Sequence, residues 1–125
     1  MKRILVVGGG LIGIRHVQAV QAHTGSTLVG LADPDLSIAP DVARFASMSE
    51  APDNVDGVII ATPTGLHSAH GIEAAARGWH MLIEKPVAGT LEDAQKLQTA
   101  VKAAGVASLV GHYRRYHASV QQLKA

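Results

Sequence analysis

The chain has no cysteine, which excludes disulfides, thiolate catalysis and cysteine-based zinc sites. Aromatics are nearly as scarce, with one tryptophan, two tyrosines and one phenylalanine in 125 residues, so the core must be built from Ala, Val, Leu and Ile. Charge of one sign is also lacking. The formal net charge is +1, with acidic and basic residues scattered and no basic run, which argues against nucleic acid or an anionic membrane as partner. No apolar stretch approaches the roughly 18 residues of a membrane span. The opening Met-Lys-Arg and its apolar run imitate a signal peptide, but Ile4–Val7 gives way at once to three glycines and no small-x-small cleavage site follows. A soluble cytoplasmic protein is the expectation. The length suits one domain with a real core, and is short for a complete two-substrate enzyme. There is no internal repeat and no low-complexity segment.

What is present is organised around the start. Ile4-Leu5-Val6-Val7 runs into Gly8-Gly9-Gly10-Leu11-Ile12-Gly13, a strand entering Gly-x-Gly-x-x-Gly ahead of a helix-capable segment. Residues 3–8 read as a buried strand and residues 11–22 as a helix, with Gly13, Val17 and Val20 on one face. Thr27–Ala32 is a second strand with Asp33 at its tip, where Pro34 blocks helical geometry. Residues 34–54 are too few for helix, strand and helix at ordinary length. One reading loses the first helix to a loop through Pro40, keeps Ala43–Ala46 as a short edge strand, and lets Ser47-Met48-Ser49-Glu50 cap a stub of helix before Pro52. The rival reading places a helix over 40–47 and drops the strand.

Beyond that, Val55–Ala61 reads as a strand, residues 66–77 as a helix with Ala69, Ile72 and Ala76 inward, and Gly78 as its terminator. Trp79–Ile83 is the next strand. Thr90 caps a helix to Ala104 whose buried stripe is Ala94, Leu97 and Val101, and Gly105 ends it. Val106–Val110 is a further strand, and Tyr116, Val120 and Leu123 suggest a last helix. Strands alternating with helices predict a parallel, doubly wound α/β sheet of Rossmann type, shortened after its second strand.

In such a turn Gly8 permits the tight bend, Gly10 lets backbone approach a phosphate, and Gly13 allows the helix to pack closely. The free N–H groups at the start of the helix, around Leu11 and Ile12, favour an anion. Asp33 stands 20 residues after Gly13, where a carboxylate can accept bonds from an adenosine ribose 2′-hydroxyl and repel a 2′-phosphate; this favours NAD over NADP. The bland alternative is a solvated turn acid, a role that Asp35 fits better. Thr62-Pro63 and Glu84-Lys85-Pro86 both fall where strands end, on the sheet edge that binds ligands in open α/β folds. Lys85 there could donate to a hydroxyl or carbonyl oxygen, or could be a surface lysine paired with Glu84; position alone leaves both open. His67 and His70 have ligand-like spacing without a third ligand, so no metal is expected. His112 and His117 read as polar residues at the domain edge or as acid/base groups, His16 as packing beside the glycine turn, and His23 and His80 as surface or loop residues.

Taken together, GGGLIGIRH, VDGVIIATPTGLH, GWHMLIEKPVAGTLEDAQKL and VGHYRRY closely resemble the glucose–fructose oxidoreductase/inositol dehydrogenase (Gfo/Idh/MocA) family over essentially the whole chain. The resemblance implies an NAD(P)-binding Rossmann domain over residues 1–115, with Lys85 near the nicotinamide and substrate as the catalytic candidate. It also implies Thr62, Pro63, His67 and Glu84 along the cofactor, and Tyr113 and Arg114 at the exit towards a second, substrate-binding domain. Residues 116–125 would begin the connection to that domain, which the sequence does not match. Family members move hydride between nicotinamide and a secondary alcohol or carbonyl of a sugar or polyol. The expectation is therefore a cofactor-binding half with little turnover alone, which could self-associate through the face a second domain would cover. The alternative is a non-catalytic dinucleotide module, a sensor or assembly partner. The segment after Asp33 is shorter than the family pattern, which leaves the adenine wall open.

Overall fold

The computed structural model describes residues 1–111. Within them the chain alternates strand and helix. The elements are β1 (Lys2–Val7), α1 (Leu11–Ala22), β2 (Ser26–Ala32), β3 (Arg44–Phe45), β4 (Gly57–Ile60), α2 (His67–Ala76), β5 (His80–Glu84), α3 (Leu91–Ala104) and β6 (Ser108–Gly111). Single 3-10 turns lie at Met48–Glu50 and Thr64–Leu66. All six strands are parallel, in the order β3-β2-β1-β4-β5-β6. Strand order reverses between β1 and β4, so the connections leaving these two strands diverge to opposite sides and open a crevice at their carboxyl ends. The expected last helix, with Tyr113, Arg114, His112 and His117, lies outside the described residues.

Alternation along the strands divides the core. Leu5, Val7, Val58, Ile60, Met81 and Ile83 face Ala74, Ala75, Trp79 and Leu97 on the α2–α3 side, while Val6 and Leu31 meet Val17 of α1 on the other. The α1 stripe is as expected, with Gly13, Val17 and Val20 buried. That of α2 is not: Ala69, Ile72 and Ala76 are exposed, and the buried face carries His67, Ser68, Gly71, Ala74 and Ala75. The cause is the neighbouring helix. A Cβ on Gly71 would lie 2.5 Å from Leu97 Cδ1, so α3 seats its one fully buried leucine against the glycine and turns Ile72 outward. Of the α3 stripe Leu97 is buried, with Ala94 and Val101 half-buried at its flanks. Thr90 caps the helix as expected, its Oγ1 accepting from the Asp93 N–H at 3.1 Å.

The segment after β2 follows the loop reading. Residues 34–43 form no helix; the backbone turns at Ala39 (φ 51°), and Ile38, Ala39 and Val42 pack on the Val6–Val17–Leu31 cluster where a crossover helix would lie. Arg44–Phe45 then pairs with Leu31–Ala32 as the edge strand. The expected capping box does not form, since Glu50 bonds the residue before the N-cap Ser47. Glu50 Oε2 accepts from the Ala46 N–H at 3.0 Å, and the Ser47 hydroxyl pairs with Ser49 instead of a helix N–H. Arg77 fastens this stretch from the far side. Its guanidinium donates to the Met48 and Ala51 carbonyls and the Asp53 carboxylate, and lies 4.0 Å above the Trp79 ring.

Candidate functional site

The glycine turn sits at the end of β1, on the lip of the crevice. Gly8 has φ +101°, a conformation that L side chains rarely adopt, and a Cβ there would lie 2.5 Å from the Ala61 carbonyl oxygen. At Gly13 a Cβ would fall 1.8 Å from the Gly8 carbonyl oxygen, so that glycine brings helix and strand together. Gly10 differs: a Cβ there meets nothing within 4 Å. Neither packing nor its dihedrals (φ −70°, ψ −172°) require glycine. Gly10 is also the N-cap of α1, with no side-chain cap and no acid in the first turn. The amides of Leu11 and Ile12 thus present the positive end of the helix to the opening, and Leu11 itself is exposed.

Asp33 is fixed at this turn. One carboxylate oxygen accepts from the Gly9 N–H at 2.7 Å and the other from the Asp35 N–H at 2.8 Å. Each retains a lone pair, and the group lines the larger cavity beside the turn. Asp35 holds the outer turn by accepting from Ser37, whose hydroxyl and N–H together lower its carboxyl below the ordinary value.

Two cavities flank the turn. The larger, about 670 Å³, runs from Gly8–Gly10 and Asp33 past Ile38 and Met48 to Pro63, Leu66 and His70. Its wall on the β2 side is the shortened segment, through Ile38 and Ala46–Met48. The smaller, about 240 Å³, lies between Ile12, Thr62–Thr64, His67, Glu84 and Lys85. Ala61, Thr62 and Pro63 line both, so one extended ligand crossing the turn would reach both.

In the smaller cavity, Glu84 does not pair with Lys85. Its Oε1 lies 2.6 Å from His16 Nε2 of α1, and both groups are largely buried. His16 thus reaches beyond the glycine turn to the carboxyl end of β5. Among the described residues Lys85 makes no ion pair, and it is exposed at the mouth. His67 is 1% exposed, its Nδ1 2.8 Å from the Pro86 carbonyl oxygen and its Nε2 2.7 Å from that of Thr62. It lies between the two strand-end segments, where a neutral ring can donate to one of these carbonyls at a time. His70 lines the larger cavity, a placement its spacing from His67 did not suggest, and bonds Thr62 Oγ1 through Nδ1 at 3.1 Å. The exposed His23 and His80 accept from the backbone N–H groups of Gly25 and Ala107.

A glycine turn opening a helix at the reversal of strand order, with an acid at the tip of the next strand, defines a dinucleotide-binding domain of Rossmann type. The chain belongs to the Gfo/Idh/MocA oxidoreductase family: the family model for its NAD-binding Rossmann fold matches residues 2–112. It is 36% identical over 124 residues to scyllo-inositol 2-dehydrogenase (NAD(+)) of Bacillus subtilis, covering 91% of this chain and 36% of that protein. It is 30% identical over 131 residues to glucose-6-phosphate 3-dehydrogenase of the same organism, covering 100% of this chain and 37% of that one. Among solved structures, the WlbA dehydrogenase of Bordetella pertussis in complex with NADH and UDP-GlcNAcA superposes with a TM-score of 0.89 at 32% identity, over 99% of this chain and 41% of that one. The chain thus spans well under half the length of these relatives.

Proposed function

We propose that the chain is the nicotinamide-dinucleotide half of an oxidoreductase acting on a sugar- or polyol-like secondary alcohol or carbonyl, with NAD preferred over NADP. The carrying observation is Gly10, a glycine that the protein's own packing does not need, at an uncapped helix N-terminus beside the fixed Asp33 carboxylate. Backbone can approach a pyrophosphate there without obstruction, and the helix end favours its charge. Asp33 would take the adenosine ribose hydroxyls and repel a 2′-phosphate. Relatives named as inositol and glucose-6-phosphate dehydrogenases support the substrate class.

A bound nicotinamide supplies hydride acceptance or donation. The chain's own contribution at that end is Lys85, whose amine, not paired to Glu84, is the group to hold or hand on the proton of the reacting oxygen. Gly8, Gly10, Leu11, Ile12 and Gly13 would hold the pyrophosphate by turn and helix end, while Thr62, Pro63, His67 and Glu84 shape the walls. Tyr113 and Arg114 would stand on the substrate side. Residues 1–115 would form the cofactor domain and 116–125 the way into a substrate domain. Holding both reactants in attack geometry can be worth about 7–11 kcal/mol of barrier, so this chain alone should bind cofactor with little turnover.

NADH fluorescence titration tests the reading. The parent chain should bind, Gly10→Val should not, and Asp33→Ala should weaken NADH while narrowing its advantage over NADPH. A parent chain that leaves NADH fluorescence unchanged would overturn it.

A further inference from the structure

We propose that His70 is an adenine-contacting residue, its imidazole giving one hydrogen bond to the base from the α2 side of the larger cavity. This rests on the dinucleotide reading above and adds a residue that neither the glycine fingerprint nor the resemblance singles out.

The lining of the larger cavity is mostly apolar. Ile38, Met48, Pro63 and Leu66 contribute to it beside the glycine turn, with Asp33, Ser47, Thr62 and His70 as its polar side chains. Apolar walls with few polar groups suit a flat heteroaromatic ring, and the polar groups present then set its orientation. His70 lies four residues after Leu66, one turn along the helical path, so the two share a face and line the same cavity. The ring is anchored, because Nδ1 shares its hydrogen bond with Thr62 Oγ1 at 3.1 Å. Its other nitrogen has no protein partner among the described residues. None of their buried side-chain nitrogens or oxygens goes unpartnered, so that nitrogen is open to solvent.

The protonation state separates base from phosphate. Burial lowers the His70 pKa from the ordinary 6.5, and the charge of Glu73 opposes this while His67 adds to it. With Asp33 across the cavity, these are the titratable groups that surround it. The imidazole is therefore neutral at pH 7, suited to a neutral hydrogen bond and unsuited to serve as counter-ion to a pyrophosphate, which the helix end already receives.

The test measures dissociation constants for NADH by fluorescence and for ADP-ribose by displacement of NADH. It compares the parent, His70→Leu and His70→Phe at pH 8 and pH 5, with thermal midpoints checking that each variant folds. Both variants should weaken both ligands by about 3- to 10-fold at pH 8, with no larger loss at pH 5. Phe keeps the ring's bulk, so parental affinity in His70→Phe would reduce the contact to packing and overturn the proposal. A loss for NADH without one for ADP-ribose would place the contact at the nicotinamide and overturn it too. A loss that grows at pH 5 would reveal an imidazolium on the phosphates and would equally overturn it. If Gly10→Val abolishes binding while both His70 variants bind as the parent does, this inference falls and the cofactor reading stands. If the parent binds no NADH, the cofactor reading itself has failed.

Discussion

At Gly13 an added Cβ would lie 1.8 Å from a backbone oxygen, whereas at Gly10 it would meet nothing within 4 Å. The same fingerprint thus contains one glycine that the packing of the fold requires and one that it does not. Gly13→Ala should destabilise the chain by about 2 kcal/mol or more, since neither helix nor strand backbone can yield. Gly10→Val should stay within about 1 kcal/mol of the parent, the scale of an N-cap change, while losing NADH. Urea unfolding of the two variants checks the contrast. His70 carries a pH dependence of defined sign. Its folded-state pKa lies below the ordinary 6.5, so as pH falls through that value the unfolded chain takes up the proton first. The folded state is then progressively disfavoured until His70 protonates in it as well. Unfolding of His70→Leu should therefore vary less with pH between 7 and 5 than that of the parent.

Among the elements, the shortened stretch after β2 decides whether the cavity has a far wall. A loop packed through Ile38, Ala39 and Val42 replaces the missing helix, and Met48 is brought to the cavity by the turn that Arg77 ties down. Removing that guanidinium leaves the Met48 and Ala51 carbonyls without their partner and uncovers the Trp79 face. Arg77→Ala should cost about 1–3 kcal/mol and weaken NADH several-fold, although Arg77 does not line the cavity. Calorimetry beside the fluorescence titration would register both effects, and an unchanged NADH affinity would separate the wall from the site. The two inward stripes fared differently for a physical reason. In α1 the valines stand out against polar neighbours, so period and burial agree. In α2 nearly every position is small, and a run such as Glu73-Ala74-Ala75-Ala76 offers several faces of similar apolarity. The choice among them was made by Leu97 of α3, in contact with the Gly71 position.

For the molecule as a whole, the crevice at the β1–β4 reversal has the glycine turn and Asp33 already bonded in place. A ligand that binds only the folded state stabilises it by mass action. NADH at about 100 times its dissociation constant should add about 2.7 kcal/mol to unfolding, seen as a raised thermal midpoint that Gly10→Val abolishes. Among the described residues no helix is long and apolar enough to cross a membrane.

Local sequence carried the parallel α/β class, the glycine turn, the acid at the tip of β2, the edge strand near Ala43–Ala46 and the caps of α3. In each of these, neighbouring residues contain the cause: a strand run meeting glycines, a proline blocking a helix, a threonine three residues before its donor. Tertiary structure alone decided that Glu84 bonds His16, 68 positions earlier, and so stands apart from Lys85. It decided also that His67 lies between the Thr62 and Pro86 carbonyls, that His70 lines the larger cavity, and which face of α2 is inside. Those outcomes depend on which atoms remote segments bring within about 3 Å, a quantity that no local pattern encodes. Even at Gly8–Gly13, where the spacing treats the glycines alike, only the space around each absent Cβ distinguished the glycine that packing leaves free from those it requires.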